Sequence, residues 1–190
     1  MSDEPPLRAD AQRNRERILA AAEKVFLKRG ANASLEDVAK CAGVGIGTLY
    51  RRFASREALL AAAYSERFLS LAHDSRTRAS QLDPSSALRA YLEELVLHTT
   101  VYRGLASSLG TVLKIGTPGC QATTEQGVRL LNQAQASGVF RDDVAFEDLV
   151  CIATAISLAV ESEVSPEPRI NHLVGLFLDG IGASKPLTKG

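Results

Sequence analysis

The sequence predicts an all-α fold in two parts. Apolar residues recur three and four apart in one segment after another, which is the spacing of a single buried helix face. Capping residues and glycines stand at the segment ends: Ser34 and Ser55 at starts, Gly30, Gly43 and Gly138 at stops. The third observation is the stretch 34–53, where two short helical patterns meet across a glycine. The chain has 190 residues, enough for one or two small domains with a proper core.

Residues 1–10 read as a disordered basic arm carrying Pro5, Pro6 and Arg8. Arg8, with Arg13, Arg15 and Arg17, suits phosphates or a minor groove, and equally a solvated tail and helix start. The first helix is expected from about Ala11 to Arg29. Ile18, Ala22, Val25 and Phe26 form its buried stripe, Lys28 and Arg29 suit its C-terminal dipole, and Gly30 ends it.

Ser34 then N-caps a short helix, with Asp37 three residues on as its capping-box partner. Leu35, Val38, Ala39 and Ala42 line one face, and Gly43 supplies the left-handed stop. Val44 plugs the corner. A second helix opens near Gly45 and Ile46, with Leu49 and Phe53 on its inner side. This is a helix-turn-helix pattern, whose second helix enters a DNA major groove. Its outer face carries the chemistry that such a helix needs. Gly47 lies inside a helix, where Gly costs about 1 kcal/mol relative to Ala, a cost offset where backbone must approach DNA closely. Gly45 opens the same face. Thr48 offers a hydroxyl and a methyl to a base edge, and Ile46 offers apolar contact to a thymine methyl. Tyr50, Arg51 and Arg52 are phosphate partners by type, joined by Ser34 and by Arg56 in the first turn of the next helix.

The segment from Ala42 to Leu60, Ala-Gly-Val-Gly-Ile-Gly-Thr-Leu-Tyr-Arg-Arg-Phe-Ala-Ser-Arg-Glu-Ala-Leu-Leu, closely resembles the TetR family of bacterial transcription regulators. The upstream run Arg17-Ile-Leu-Ala-Ala-Ala22, continuing to Phe26 and Gly30, resembles that family's first helix. The match covers about Asn14 to Leu60. This chain departs from the family at Gly45 and Ile46, where Ser or Lys is frequent, so its operator cannot be copied from a relative.

Beyond the motif, Ser55 caps a helix expected from Arg56 to about Arg78, with Leu60, Tyr64, Phe68 and Leu71 on one face. By resemblance it connects the reading unit to the rest. The chain turns near Asp83-Pro84-Ser85-Ser86, and the remainder reads as all helix. Segments are expected at Ala87–Tyr102, Leu105–Ile115, Cys120–Ala136, Leu149–Val160 and Arg169–Ile181. The expected division is therefore an arm at 1–10, a helix-turn-helix domain at 11–71, a helical effector-binding and dimerisation domain at 72–182 and a flexible tail at 183–190. Leu149–Val160 is apolar nearly all round, and Ile170, Leu173, Val174, Phe177, Leu178 and Ile181 repeat at helical spacing. A dimer interface is accordingly expected at Ala153, Ile156, Ser157, Val160, Leu173, Phe177 and Ile181.

Composition narrows the function further. Net charge is zero, but residues 1–70 carry 12 Lys/Arg against 9 Asp/Glu and the rest carries 10 against 13. The reading end is mildly basic and the other end mildly acidic. Cys41, Cys120 and Cys151 are far apart with no CxxC, which fits a reduced cytoplasm. No apolar run is long enough for a bilayer, and no secretory signal opens the chain. His73, His98 and His172 form no metal-binding pair, no nucleotide loop is present, and no nucleophile–base set can be read. The expectation is thus a non-enzyme with no metal and no cofactor.

The resemblance implies an effector bound among the C-terminal helices, and Tyr91, Leu95, His98, Tyr102 and Arg103 offer an apolar stripe with polar tips. The combined expectation is a cytoplasmic homodimer that binds double-stranded operator DNA as a palindrome. By resemblance it is a repressor released by a small-molecule effector. Activation, or sequence-indifferent DNA binding, are the alternatives.

Overall fold

A computed structural model describes residues 6–101 and 103–182. Among these residues the chain is all-α, with ten α-helices, one 3-10 turn and a single isolated bridge between Phe140 and Gly182. The helices are α1 Pro6–Arg29, α2 Leu35–Ala42, α3 Ile46–Arg52, α4 Arg56–Ala63, α5 Ser65–Ala79, α6 Pro84–Thr100, α7 Leu109–Lys114, α8 Pro118–Ala136, α9 Phe146–Val160 and α10 Glu167–Gly180.

The helix-turn-helix forms for the expected reasons, with one exchange of partners. Ser34 accepts a hydrogen bond from the Glu36 amide at 3.1 Å. Asp37 turns away from the cap and pairs with Arg29 at the end of α1, so the reciprocal capping box does not form. Gly43 is left-handed at φ 65°, and Val44 returns its amide to Ala39 O at 3.0 Å. Ile18, Ala22, Phe26, Leu35, Val38, Ala39, Ala42, Leu49 and Phe53 are buried together, closing α1 over α2 and α3. The region expected as an irregular arm is helical from Pro6 onward, Pro being compatible with a first helical position. Residues 1–5, and the tail expected at 183–190, lie outside the described residues.

The connecting helix differs from expectation. A single helix over 56–78 is replaced by α4 and α5, broken at Tyr64 (φ −100°, ψ 2°). Tyr64 is buried and its ring lies 6.4 Å from that of Phe26 in α1. The two halves serve different neighbours: α4 packs on α1 and α7, while α5 lies along α8. Each follows its own partner, and the break takes up the change in direction. The break also falls ahead of the boundary expected after residue 71.

In the C-terminal region the helix starts were set too late, because their caps are side chains outside the apolar pattern. The Asp83 carboxylate accepts from the Ser85 and Ser86 amides at 3.0 Å each, so α6 begins at Pro84. The Ser86 hydroxyl, together with those amides, holds the Asp83 carboxyl below its usual pKa. Thr117 caps α8 at Pro118, and Asp148 reaches back to the Ala145 amide at 2.9 Å ahead of α9. The segment expected over 105–115 divides into the Ala106–Ser108 3-10 turn and α7. Tyr91, Leu92, Leu95, Leu109, Val112, Leu130, Leu149, Ala153 and Val160 form the core of this half.

The two halves share one apolar core along α5 and α8, and at two places they also meet main chain to main chain. A Cβ on Gly119, near the start of α8, would lie 2.0 Å from the Ser65 carbonyl oxygen. The Gly119 amide donates to the Ser65 hydroxyl at 3.1 Å, and Thr123 Oγ1 donates to Phe68 O at 2.9 Å. A second junction joins the α1–α2 turn to the loop after α6, where the Ala31 amide donates to Arg103 O at 2.7 Å.

Candidate DNA-reading site

Helix α3 is held from behind by Leu49 and Phe53, so its opposite side faces solvent. Gly45, Gly47, Tyr50, Arg51 and Arg52 are exposed there, Tyr50 with 49% of its surface accessible. Thr48 is half-buried, and its Oγ1 accepts from Arg51 Nη2 at 3.0 Å. This bond fixes the Thr48 hydroxyl and the Arg51 guanidinium relative to each other on adjacent turns. A Cβ added at Gly45 or Gly47 meets nothing within 4 Å, and neither glycine has a positive φ. The fold therefore has no steric or conformational use for either glycine. What they provide is a backbone that another molecule can approach closely.

Three of the sequence-derived contacts sit differently. Arg56 Nη1 donates to Ala31 O at 2.8 Å and to Ala33 O at 2.5 Å. The side chain is half-buried and clamps the α1–α2 turn to the start of α4, so it is a structural clamp in place of a phosphate contact. The Ser34 hydroxyl is engaged by the Glu36 amide and carboxylate, and that bond lowers the Glu36 pKa. Its place is the cap, with an acid beside it that works against phosphate. Ile46 is partly buried against the core, leaving only part of its side chain for a thymine methyl.

Two supports escaped the sequence reading. Arg17 Nη2 donates to Gly43 O at 3.4 Å, and the Arg15 guanidinium lies 5.8 Å above the Phe53 ring. Both bring α1 cations to the edge of the reading unit. Their signal was a run of alternating arginines that also fits a solvated helix start.

Among the described residues, those expected to line an effector pocket do not share a cavity. Tyr91 and Leu95 are fully buried, and the Tyr91 hydroxyl donates to Thr123 O at 2.9 Å. Burial raises the Tyr91 pKa and keeps that donor protonated. His98 is half-buried, with its pKa lowered mainly by desolvation while Glu94 pulls the other way. Arg103 lies beside the α1–α2 turn, and Tyr102 is outside the described residues. A cleft of about 370 Å³ opens instead between α7, α8 and α9, walled by Leu113, Phe146 and Val150, with Lys114, Thr124 and Thr154 at its edge.

The α9 residues expected to form a dimer face point inward. Ala153, Ile156, Ser157 and Val160 are buried within the monomer, whereas Cys151, Ala155 and Leu158 face solvent, Leu158 with 48% accessible. An amphipathic stripe read on a helix that is apolar all round has no unique inner side. On α10, Leu173, Phe177 and Ile181 are half-buried, and Leu176 is 57% accessible. Among the described residues no cluster of His, Cys, Asp or Glu has the makings of a metal site, and no helix is long and apolar enough to cross a membrane.

A three-helix unit with a solvent-facing second motif helix, joined to a helical domain, defines the class of helix-turn-helix regulators. The chain belongs to the TetR family of that class. Residues 18–63 match the family described as bacterial regulatory proteins, tetR family, and residues 83–183 match the transcriptional regulator SbtR-like C-terminal domain. The chain is 34% identical to the TetR transcriptional regulator SCO0520 from Streptomyces coelicolor, over 90% of this chain and 99% of that one, with a TM-score of 0.56. It is 38% identical over 103 residues to a probable HTH-type transcriptional regulator, ArpR of Pseudomonas putida. That alignment takes in 50% of this chain and spans about half (48%) the length of the relative. RolR, solved in complex with resorcinol, shares the fold at 21% identity and a TM-score of 0.66 over 96% of this chain and 98% of its own. The family, SCO0520 and ArpR are described as transcriptional regulators, not enzymes.

Proposed function

We propose that this chain is a cytoplasmic, dimeric repressor that binds a palindromic operator and is released by a small effector. The observation that carries the DNA reading is the pair Gly45 and Gly47, two exposed glycines that the fold does not need, flanking Ile46 and beside Thr48. In this reading Thr48, with the exposed part of Ile46, meets base edges, while Tyr50, Arg51 and Arg52 hold phosphates. Two copies place their α3 helices in successive major grooves about 34 Å apart. The solvent-facing apolar residues of α9 and α10 supply the surface for that pairing.

The effector reading rests on the α7–α9 cleft. Its walls are apolar, and its edge carries one cation, Lys114, one anion, Glu147, and two threonine hydroxyls. That lining suits a compact, largely apolar molecule with a few hydroxyl or carboxyl groups. Helix α7 packs on α4, so a ligand that displaces α7 bears on the helix that follows α3. A coupling of about 1–3 kcal/mol changes operator affinity 5- to 150-fold.

Selection of bound sequences from a random DNA library with the purified full chain tests the proposal. The expected result is an enriched palindrome, bound about 10³-fold or more tighter than random DNA. Salt-sensitive binding without enrichment would instead mark a DNA-coating protein. In the enriched site, Thr48→Ala shifts the base preference at one position per half-site.

A further inference from the structure

The loop after α6 carries a chain of contacts that the operator-reading surface and the α7–α9 cleft leave unused. Glu161, the residue that ends α9, accepts the Gly104 amide with its carboxylate. The neighbouring Arg103 carbonyl accepts the Ala31 amide at 2.7 Å. The Ala31 carbonyl in turn accepts from Arg56, the first residue of α4. A single residue of the α1–α2 turn, Ala31, is thus held on one side by the C-terminal domain and on the other by the helix that follows α3.

The approach is close enough to exclude side chains. A Cβ on Gly30 would stand 2.7 Å from Arg103 O, and one on Gly104 would stand 2.8 Å from Asn32 Nδ2. Both glycines have positive φ, 86° and 83°, which fixes the two turns in the shapes that let them dock. A carboxylate receiving an amide is a charge-assisted bond, stronger than its neutral counterpart. It fastens the loop to α9 across 57 residues of sequence.

We infer that Glu161 is a positioning residue for the DNA-reading unit, acting through Gly104, Arg103 and Ala31 to set where the α1–α2 turn sits relative to α9. This rests on the proposed repressor reading only for its consequence on DNA; the linkage itself is internal to the chain. Helix α9 is suited to move it. Thr154 lines the cleft, and Glu161 follows seven residues later, about 10 Å along the same helix. A ligand that shifts α9 against α6 pulls on the Gly104 bond directly, without passing through α7 and α4.

Hydrogen exchange on the full chain tests the linkage, with Glu161→Ala and Glu161→Gln beside the parent. In Glu161→Ala, the Gly104 and Ala31 amides exchange roughly tenfold faster or more, while the interior amides of α1 and α6 keep their protection. Glu161→Gln keeps the shape and an acceptor oxygen but loses the charge, and gives a smaller acceleration at the same two amides. Should the Ala variant lose protection throughout, the Gln variant decides. Acceleration at Gly104 alone, in whichever variant stays folded, overturns the inference, because Glu161 would then be a local cap. On the selected operator, Glu161→Ala weakens binding several-fold with the salt slope of the parent, since no phosphate contact is removed. Unchanged affinity there overturns the consequence for DNA. A parent that selects no operator overturns the repressor reading and leaves the amide result to judge the linkage.

Discussion

At the scale of single residues, the reading helix separates what the fold requires from what a partner requires. Leu49 is fully buried and anchors α3, whereas Gly47 supports nothing inside the chain. Gly47→Ala therefore stabilises the isolated protein by up to about 1 kcal/mol, seen as a higher melting temperature, while operator affinity falls. A variant that is both more stable and equally tight on DNA would remove the reason for the glycine. Arg52 and Arg56 divide in the opposite sense. Arg52→Ala leaves stability within about 0.5 kcal/mol and lowers the salt slope of DNA binding by about one. Arg56→Met strips two main-chain carbonyls of their donor and destabilises the fold by about 1–3 kcal/mol, visible in denaturant unfolding. The motif, its glycine turn and its inner residues were legible in the sequence because capping, turn chemistry and periodicity all pointed the same way. The task of Arg56 was not, because a guanidinium suits a phosphate and a pair of carbonyls equally well, and only the fold brings Ala31 and Ala33 to it.

At the scale of elements, the sequence placed nearly every helix and missed where several begin or break. The division at Tyr64 left no trace in the pattern, since the apolar stripe of Leu60, Tyr64, Phe68 and Leu71 runs through it. It arises from tertiary packing, with α4 held by α1 and α5 held by α8. The contact of Gly119 with the Ser65 backbone fixes that geometry. Gly119→Ala must push main chain against main chain, and it lowers stability by about 1–3 kcal/mol or more in a thermal melt. The stripe expected to line an effector pocket is packed for a related reason. A stripe of Tyr91, Leu95 and His98 looks the same whether it faces a cavity or a packed neighbour, and here Tyr91 packs on α8 while His98 lies among Glu94 of α6 and Arg67, Asp74 and Arg78 of α5. His98 gives this packing a pH signature. Burial favours its neutral ring and lowers its pKa in the folded state. Its contribution to stability is complete above the unfolded value of about 6.5 and is lost as pH falls through the folded value. Melts taken between pH 7 and pH 5 thus show a decline that His98→Gln reduces. An identical decline in the variant would assign the effect elsewhere.

At the scale of the whole molecule, α9 and α10 leave an apolar surface containing Leu158 and Leu176 that the monomer does not cover. Glu at both positions places two charges where a partner copy would press, so the doubly substituted chain sediments as a monomer while the parent sediments as a dimer. A parent that is already monomeric at micromolar concentration would leave that surface for another use. The joint between the two halves has a different character. It combines close main-chain approaches at Gly119, Gly30 and Gly104 with apolar packing, since Phe68 and Leu71 of α5 are buried in one core with Tyr91 and Leu130. A connection of that kind constrains both sides: its glycines admit no side chain, and the buried face of α5 must match α8. Exchange of the α3 face alone therefore leaves the joint intact, whereas exchange of everything ahead of Tyr64 also replaces Gly30, Ala31 and Asn32, the residues that the Arg103–Gly104 loop meets.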